Sequence, residues 1–121
     1  MTKAIRQIYH PVPDGYMLDQ EGVRHECTHV KCTLRYDLGG PSVFQYGVTR
    51  PRGYYIGVTP VKVEGPMESA VAFSGICFPL VECKRQSRKA EAEAAKFFDE
   101  RYQEVVRNYF PGSRVDFSKR E

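Results

Sequence analysis

Three groups of side chains in this chain have the types and spacing to do chemistry. The first lies in Arg24-His25-Glu26-Cys27-Thr28-His29-Val30-Lys31-Cys32. Side chains on a strand alternate with a period of two, so His25, Cys27 and His29 would point the same way. Imidazole and thiolate are good zinc ligands, and the three together would make a metal site, the seat of a metal-dependent enzyme. The cysteine arrangement argues against it. Zinc sites usually pair close-spaced cysteines joined at a turn, whereas Cys27 and Cys32, four residues between them, lie along one expected strand, and five residues separate Cys77 from Cys83. Cys32 would also face away from Cys27 on a regular strand. The segment is therefore expected to be a half-buried strand with two surface histidines and small apolar cysteines, holding no metal.

The second group is basic: Lys84, Arg85, Arg88 and Lys89, just before and at the start of a helix. A helix N-terminus carries partial positive charge and prefers acidic side chains. Four cations there oppose that preference, and they suit an anion held by backbone N–H groups and side chains together. A phosphate of nucleic acid is the anion that fits first. Arg50 and Arg52, in Thr49-Arg-Pro-Arg-Gly53, extend the patch if that turn lies nearby. The plainer reading is a solvated face neutralised by Glu82, Glu91 and Glu93 and by pairing along the helix.

The third group is aromatic. Tyr54-Tyr55 follows the basic turn, and stacking platforms beside cations hold single strands. Neighbouring strand residues face opposite sides, however, so one of the two is expected in the core. The chain has eight Tyr, seven Phe and no Trp, so tyrosines must also supply packing bulk. Beyond these groups the sequence contains no glycine-rich phosphate loop, nucleophile elbow or metalloprotease motif. His10 stands between Tyr9 and Pro11 with no partner that the sequence names. No enzymatic activity and no cofactor are expected.

The elements that must position these groups fall in one domain. The chain has 121 residues, 41% of them hydrophobic, and a net charge of +3, which suits a folded core rather than disorder. No apolar run approaches the roughly 20 residues that span a bilayer. The N-terminus has no apolar stretch of signal-peptide length. A cytoplasmic location without membrane contact, and reduced cysteines, are the expectations.

Residues 1–22 read as an irregular N-terminal segment, because Pro11, Pro13, Asp14, Gly15 and Gly22 break any period. Glu26 to Tyr36, Val43 to Val48, Tyr54 to Glu64, Ser69 to Phe73 and Ile76 to Cys83 read as strands. In the third, the apolar phase switches from Tyr54, Ile56 and Val58 to Val61 and Val63, which predicts a bulge or bend near Pro60 and an edge position there. Ala90, Ala94, Phe97, Phe98, Val105 and Tyr109 recur at helical spacing. Ser87 is the expected N-cap, Arg101 interrupts the stripe, and Pro111-Gly112 stops the helix. Residues 113–121 read as a frayed tail. Strands followed by one helix predict an α+β fold: a mainly antiparallel sheet of three to five strands with the long C-terminal helix on one face, led by Phe97 and Phe98.

Two family resemblances bear on function. Ser87-Arg-Lys-Ala-Glu-Ala-Glu-Ala-Ala95 resembles the start of the second helix of double-stranded RNA-binding domains, where a Ser-Lys-Lys-x-Ala-Lys segment grips phosphates. Ser87, Arg88 and Lys89 match it. The next family lysine falls at Ala92, and residues 1–22 supply no N-terminal helix, so that fold is not assigned. Arg52-Gly-Tyr-Tyr-Ile-Gly-Val-Thr-Pro-Val, with Ala72-Phe-Ser-Gly and Glu82-Cys-Lys-Arg-Gln-Ser-Arg-Lys-Ala, resembles small uncharacterised proteins of Bacteroides-type conjugative elements over about residues 50–95. That resemblance implies an accessory protein of a mobile element, with no known activity or site. The resulting expectation is a non-enzymatic binding module for nucleic acid at Lys84, Arg85, Arg88, Lys89, Arg50 and Arg52. The alternative is a protein–protein adaptor or homo-oligomerisation module.

Overall fold

Segments rich in β-branched and aromatic residues between glycine and proline turns form the strands of this chain. The computed structural model describes residues 4–41, 46–70 and 75–120. Among them the order is β1 (Ala4–Pro11), β2 (Tyr16–Leu18), β3 (Arg24–Glu26), β4 (His29–Asp37), β5 (Gly40–Pro41), β6 (Thr49–Arg50), β7 (Gly53–Glu64), β8 (Met67–Ala70), β9 (Ile76–Glu82) and α1 (Arg88–Tyr109). A five-stranded antiparallel sheet runs β1-β4-β7-β8, with β9 also pairing β7. Two short ribbons, β2–β3 and β5–β6, extend from it. The fold is the expected α+β arrangement.

The core lies between one sheet face and α1. Val30, Cys32, Leu34 and Tyr36 of β4 stand opposite Pro60, Val58, Ile56 and Tyr54 of β7. Against them α1 lays Ala94, Phe98, Tyr102, Val105 and Val106. Phe98 is fully buried, whereas Phe97 is half-buried under the Arg101 guanidinium, 4.6 Å from its ring centre. The buried stripe therefore passes through Phe98 and Tyr102, and Arg101 stands outside it.

Residues 1–22 are not irregular. β1 pairs β4 from Pro11↔His29 to Ala4↔Arg35, with a register shift between Ala4 and Arg6. Its buried phase is Ile8, His10 and Val12, and the histidine in the middle hides the alternation. His10 is buried because both ring nitrogens are met: Nδ1 donates to the Lys119 carbonyl at 2.8 Å, and Nε2 pairs with the Tyr102 hydroxyl at 2.9 Å. That contact also corrects the frayed tail. The Asp116 amide donates to the Pro11 carbonyl at 2.9 Å, the Ser113 hydroxyl accepts from the Leu18 amide at 2.8 Å, and the Phe117 ring meets His10 edge-on at 5.0 Å. An aromatic anchor and three hydrogen bonds order a segment whose composition alone reads as loose.

No bulge occurs at Pro60 in the β4–β7 ladder, which keeps register through Val30↔Pro60. The phase switch reflects coverage instead, since Val61 is buried on the opposite face from Val58. Pro60 lies between the last β9 pair, at Val58, and the first β8 pair, at Val61, so its missing N–H breaks neither ladder. The irregularity sits one strand over: β9 shifts register between Tyr54 and Tyr55, beside Pro79. Of the expected strand 43–48, residues 43–45 lie outside the described residues. Tyr46-Gly47 forms a turn rather than strand, with Gly47 at φ 79°. Of the expected strand 69–73, β8 accounts for Ser69 and Ala70, and residues 71–73 lie outside the described residues.

Candidate nucleic-acid interface

The first turn of α1 is held from beneath by the core. Ser87 caps the helix, its hydroxyl accepting from the Ala90 amide at 3.0 Å. The buried Tyr54 hydroxyl reaches up from β7, accepting from the Ser87 amide at 3.3 Å and donating to the Ser87 carbonyl at 3.4 Å. A second tie fixes the approach to the helix. The Cys83 amide donates to the Arg52 carbonyl at 3.0 Å, and the Arg52 guanidinium donates to the Lys84 carbonyl at 3.3 Å and the Leu38 carbonyl at 3.2 Å. The Thr49–Gly53 turn thus lies against the chain entering the helix, and Arg52 joins the basic segment.

Lys84, Arg85, Arg88 and Lys89 are all exposed. Among the described residues none of the four has an ion-pair partner, and Glu82, Glu91 and Glu93 do not neutralise them through direct contact. Arg52 meets only carbonyl oxygens, so its charge is not cancelled. Arg50 differs. Its guanidinium grips the Asp37 carboxylate with two bonds, at 3.1 and 3.3 Å, and this partner pushes its pKa up. Arg50 is a fixture of the turn rather than a free cation. A pocket of about 260 Å³ at the helix start is lined by Tyr54, Gln86, Ser87, Arg88 and Glu91. The Glu91 carboxylate in its wall disfavours an anion inside it, which leaves the exposed cations around it as the anion-competent surface.

The chain matches no protein-family model, no curated protein and no solved structure.

His25, Cys27 and His29 do not form a joint site. The strand breaks at Cys27-Thr28, where the chain passes from the β2–β3 ribbon to the main sheet, so the alternation does not carry across. His25 Nε2 bonds the Asp19 carboxylate at 2.9 Å, and that bond holds the Asp19 pKa below its ordinary value. Cys27 is buried, which pushes its thiol up to about 11. His29 Nδ1 lies 2.8 Å from the Thr28 hydroxyl. No group of three His, Cys, Asp or Glu among the described residues is placed to hold a metal ion. Asp19, the partner of His25, stands six positions upstream across the tip of the ribbon, a pairing that the sequence reading did not find.

Tyr54 and Tyr55 are both buried, at 1% and 2% exposure, so neither is a stacking platform. Tyr54 faces the core. Tyr55 faces the other side of the sheet, where its hydroxyl donates to the Pro51 carbonyl at 2.5 Å and the Arg50 guanidinium lies 5.8 Å from its ring centre. No helix among the described residues is long and apolar enough to cross a membrane.

Proposed function

We propose that this chain is a small cytoplasmic, non-enzymatic accessory protein of a mobile element, and that it binds nucleic acid through phosphates held at Lys84, Arg85, Arg88 and Lys89 with Arg52. One observation carries the reading: five cations at and before a helix N-terminus have no carboxylate partner among the described residues. Leaving such charges uncompensated on a rigid base is unfavourable for the isolated protein and useful to one that meets a polyanion. The helix adds its own partial positive charge and free amides. The mobile-element assignment rests on the resemblance over residues 50–95.

Contacts of this kind recognise the backbone and not the bases. Changing Arg88 and Lys89 together to Ala should therefore weaken binding about equally for all sequences. Folding stability should hold or rise slightly, because removing cations from a helix N-terminus relieves an unfavourable dipole interaction. Fluorescence anisotropy with labelled mixed-sequence DNA and RNA measures the first effect, and thermal melting the second. Unchanged affinity in the double variant would refute the assignment.

A second reading, an adaptor or homo-oligomer, is favoured by a different observation. β1 is the outer strand of the sheet and pairs only β4 among the described residues, which leaves an edge that a partner strand can extend. Sedimentation of the purified protein tests it: a dimer disrupted by proline at Gln7 would support the edge, and a monomer at all concentrations would refute self-association.

A further inference from the structure

Tyr36 of β4 and Tyr54 of β7 stand directly opposite each other in the ladder, and their rings meet edge-on at 5.1 Å between centres. Both are buried, and both hydroxyls end on the chain that enters α1. Tyr36 donates to the Cys83 carbonyl at 3.4 Å, and Tyr54 meets the Ser87 amide and carbonyl at 3.3 and 3.4 Å. Burial raises the Tyr54 pKa, so its hydroxyl keeps the proton it donates. Arg52 holds the same stretch a second way. Its carbonyl accepts from the Cys83 amide at 3.0 Å, and its guanidinium bridges the Lys84 and Leu38 carbonyls. Gly53 lets that turn come close, because a side chain there would collide with the Val81 carbonyl. The backbone is thus fixed at residues 83, 84 and 87, on both sides of Arg85, although the cationic side chains it carries are exposed.

We infer that Tyr36, Arg52 and Tyr54 are positioning residues for phosphate binding: they hold the backbone of residues 83–87 so that Lys84, Arg85, Arg88 and Lys89 present their charges together. The inference rests on the phosphate-binding reading above and adds what sets its strength. A face whose backbone is ordered beforehand loses less entropy on binding than one that must order around its ligand. Arginine is required at position 52 because its planar fork reaches two carbonyls at once, which the point charge of lysine does not. The two tyrosines lie in the core, so their effect on binding passes through the backbone above them.

Anisotropy titrations against salt, with the full chain and a mixed-sequence 20-mer duplex, separate positioning from contact. Tyr54→Phe and Arg52→Lys both keep the charge of the face. Each should weaken binding at fixed salt about 2- to 10-fold, the effect of losing one hydrogen bond. Each should leave the slope of log affinity against log salt as in wild type, since the number of phosphate contacts is unchanged. Tyr36→Phe should act in the same direction. Thermal melting confirms that each variant is folded at the temperature of the titration, where a loss of global stability alone does not weaken binding. Wild-type affinity in Tyr54→Phe and Arg52→Lys, or a flattened slope in either, would overturn the positioning role. Hydrogen exchange reads the same contacts without a ligand. The Ser87 amide should exchange faster in Tyr54→Phe and the Cys83 amide in Arg52→Lys, and wild-type exchange rates would overturn the inference. No binding by the wild type would overturn the phosphate reading, and the positioning role with it, even where exchange speeds up.

Discussion

Phe97 and Phe98 are adjacent, and the helical period admits both to one stripe, yet they have different fates. Phe98 is sealed against the sheet, stacked on Tyr102 at 5.2 Å between ring centres, while Phe97 shelters half-exposed beneath Arg101. Phe98→Ala should lose about 3–5 kcal/mol, the usual loss for a buried aromatic truncated to alanine. Phe97→Ala should lose about 1 kcal/mol or less, since partial exposure and one surface cation–π contact are all it forfeits. Chemical denaturation of the two variants checks the difference, and equal losses would contradict the packing. The period alone does not choose between them. The buried stripe runs through Tyr102, whose ring stacks on Phe98 and whose hydroxyl is met by His10, 92 positions away. The cysteines follow the same logic. Burial pushes the Cys27 thiol to about 11 and the Cys32 thiol to about 12; desolvation raises the Cys77 thiol as well, but that residue is exposed and open to reagent. A disulfide-exchange reagent at pH 8 should label Cys77 first and should reach Cys27 and Cys32 only on unfolding. Mass spectrometry of the labelled sites would show otherwise if all four react together.

At the scale of elements, three strands of the sheet meet in one polar cluster. Lys31 of β4 donates to the Glu68 carboxylate of β8 at 2.9 Å, and the Tyr9 hydroxyl of β1 donates to the same carboxylate. Burial pushes the Glu68 pKa up, but the hydrogen bonds from Tyr9 and Lys31 outweigh it and hold the pKa below its ordinary 4.5. Burial likewise pushes Lys31 down, and its bonds to Glu68 and Tyr9 outweigh that and hold it above its ordinary 10.5. A depressed carboxylate stabilises the fold fully above its unfolded pKa and loses that stabilisation as pH falls through its folded value. A raised ammonium stabilises the fold below its unfolded pKa and loses that stabilisation as pH rises through its folded value. The cluster should therefore support the sheet across neutral pH and weaken at both ends. Glu68→Gln should reduce stability at pH 7 by about 1 kcal/mol and flatten the loss of melting temperature below about pH 4.5. Parallel pH profiles for wild type and variant down to pH 3 would contradict this. The central strands and the helix were legible because β-branched and aromatic composition, or a helical period, extends over many residues in each. β1 was not, since a buried histidine occupies its apolar phase, and neither was the docked tail, whose partners Pro11, Leu18 and His10 lie about a hundred residues upstream.

For the molecule as a whole, a net charge of only +3 hides a local surplus. The run Lys84-Arg85 and Arg88-Lys89 is visible in the sequence, as is its position before a helix. That Arg52 adjoins it while Arg50 is neutralised by Asp37 depends on contacts spanning 32 and 13 positions, which no local pattern encodes. The central claim is that this face binds phosphates, and the salt dependence of affinity measures phosphate contacts directly, because each contact releases a condensed counterion. The decisive measurement is a titration of nucleic-acid binding against salt, from about 50 to 200 mM. With four or five contacts, log affinity against log salt should fall with a slope of about −3 for single strands, at roughly 0.7 per contact. Changing Arg88 and Lys89 together to Ala should flatten that slope by about 1.4 for a single strand, or about 2 for duplex DNA. No binding by the wild type at about 50 mM salt, or a slope that the double variant leaves unchanged, would contradict the account.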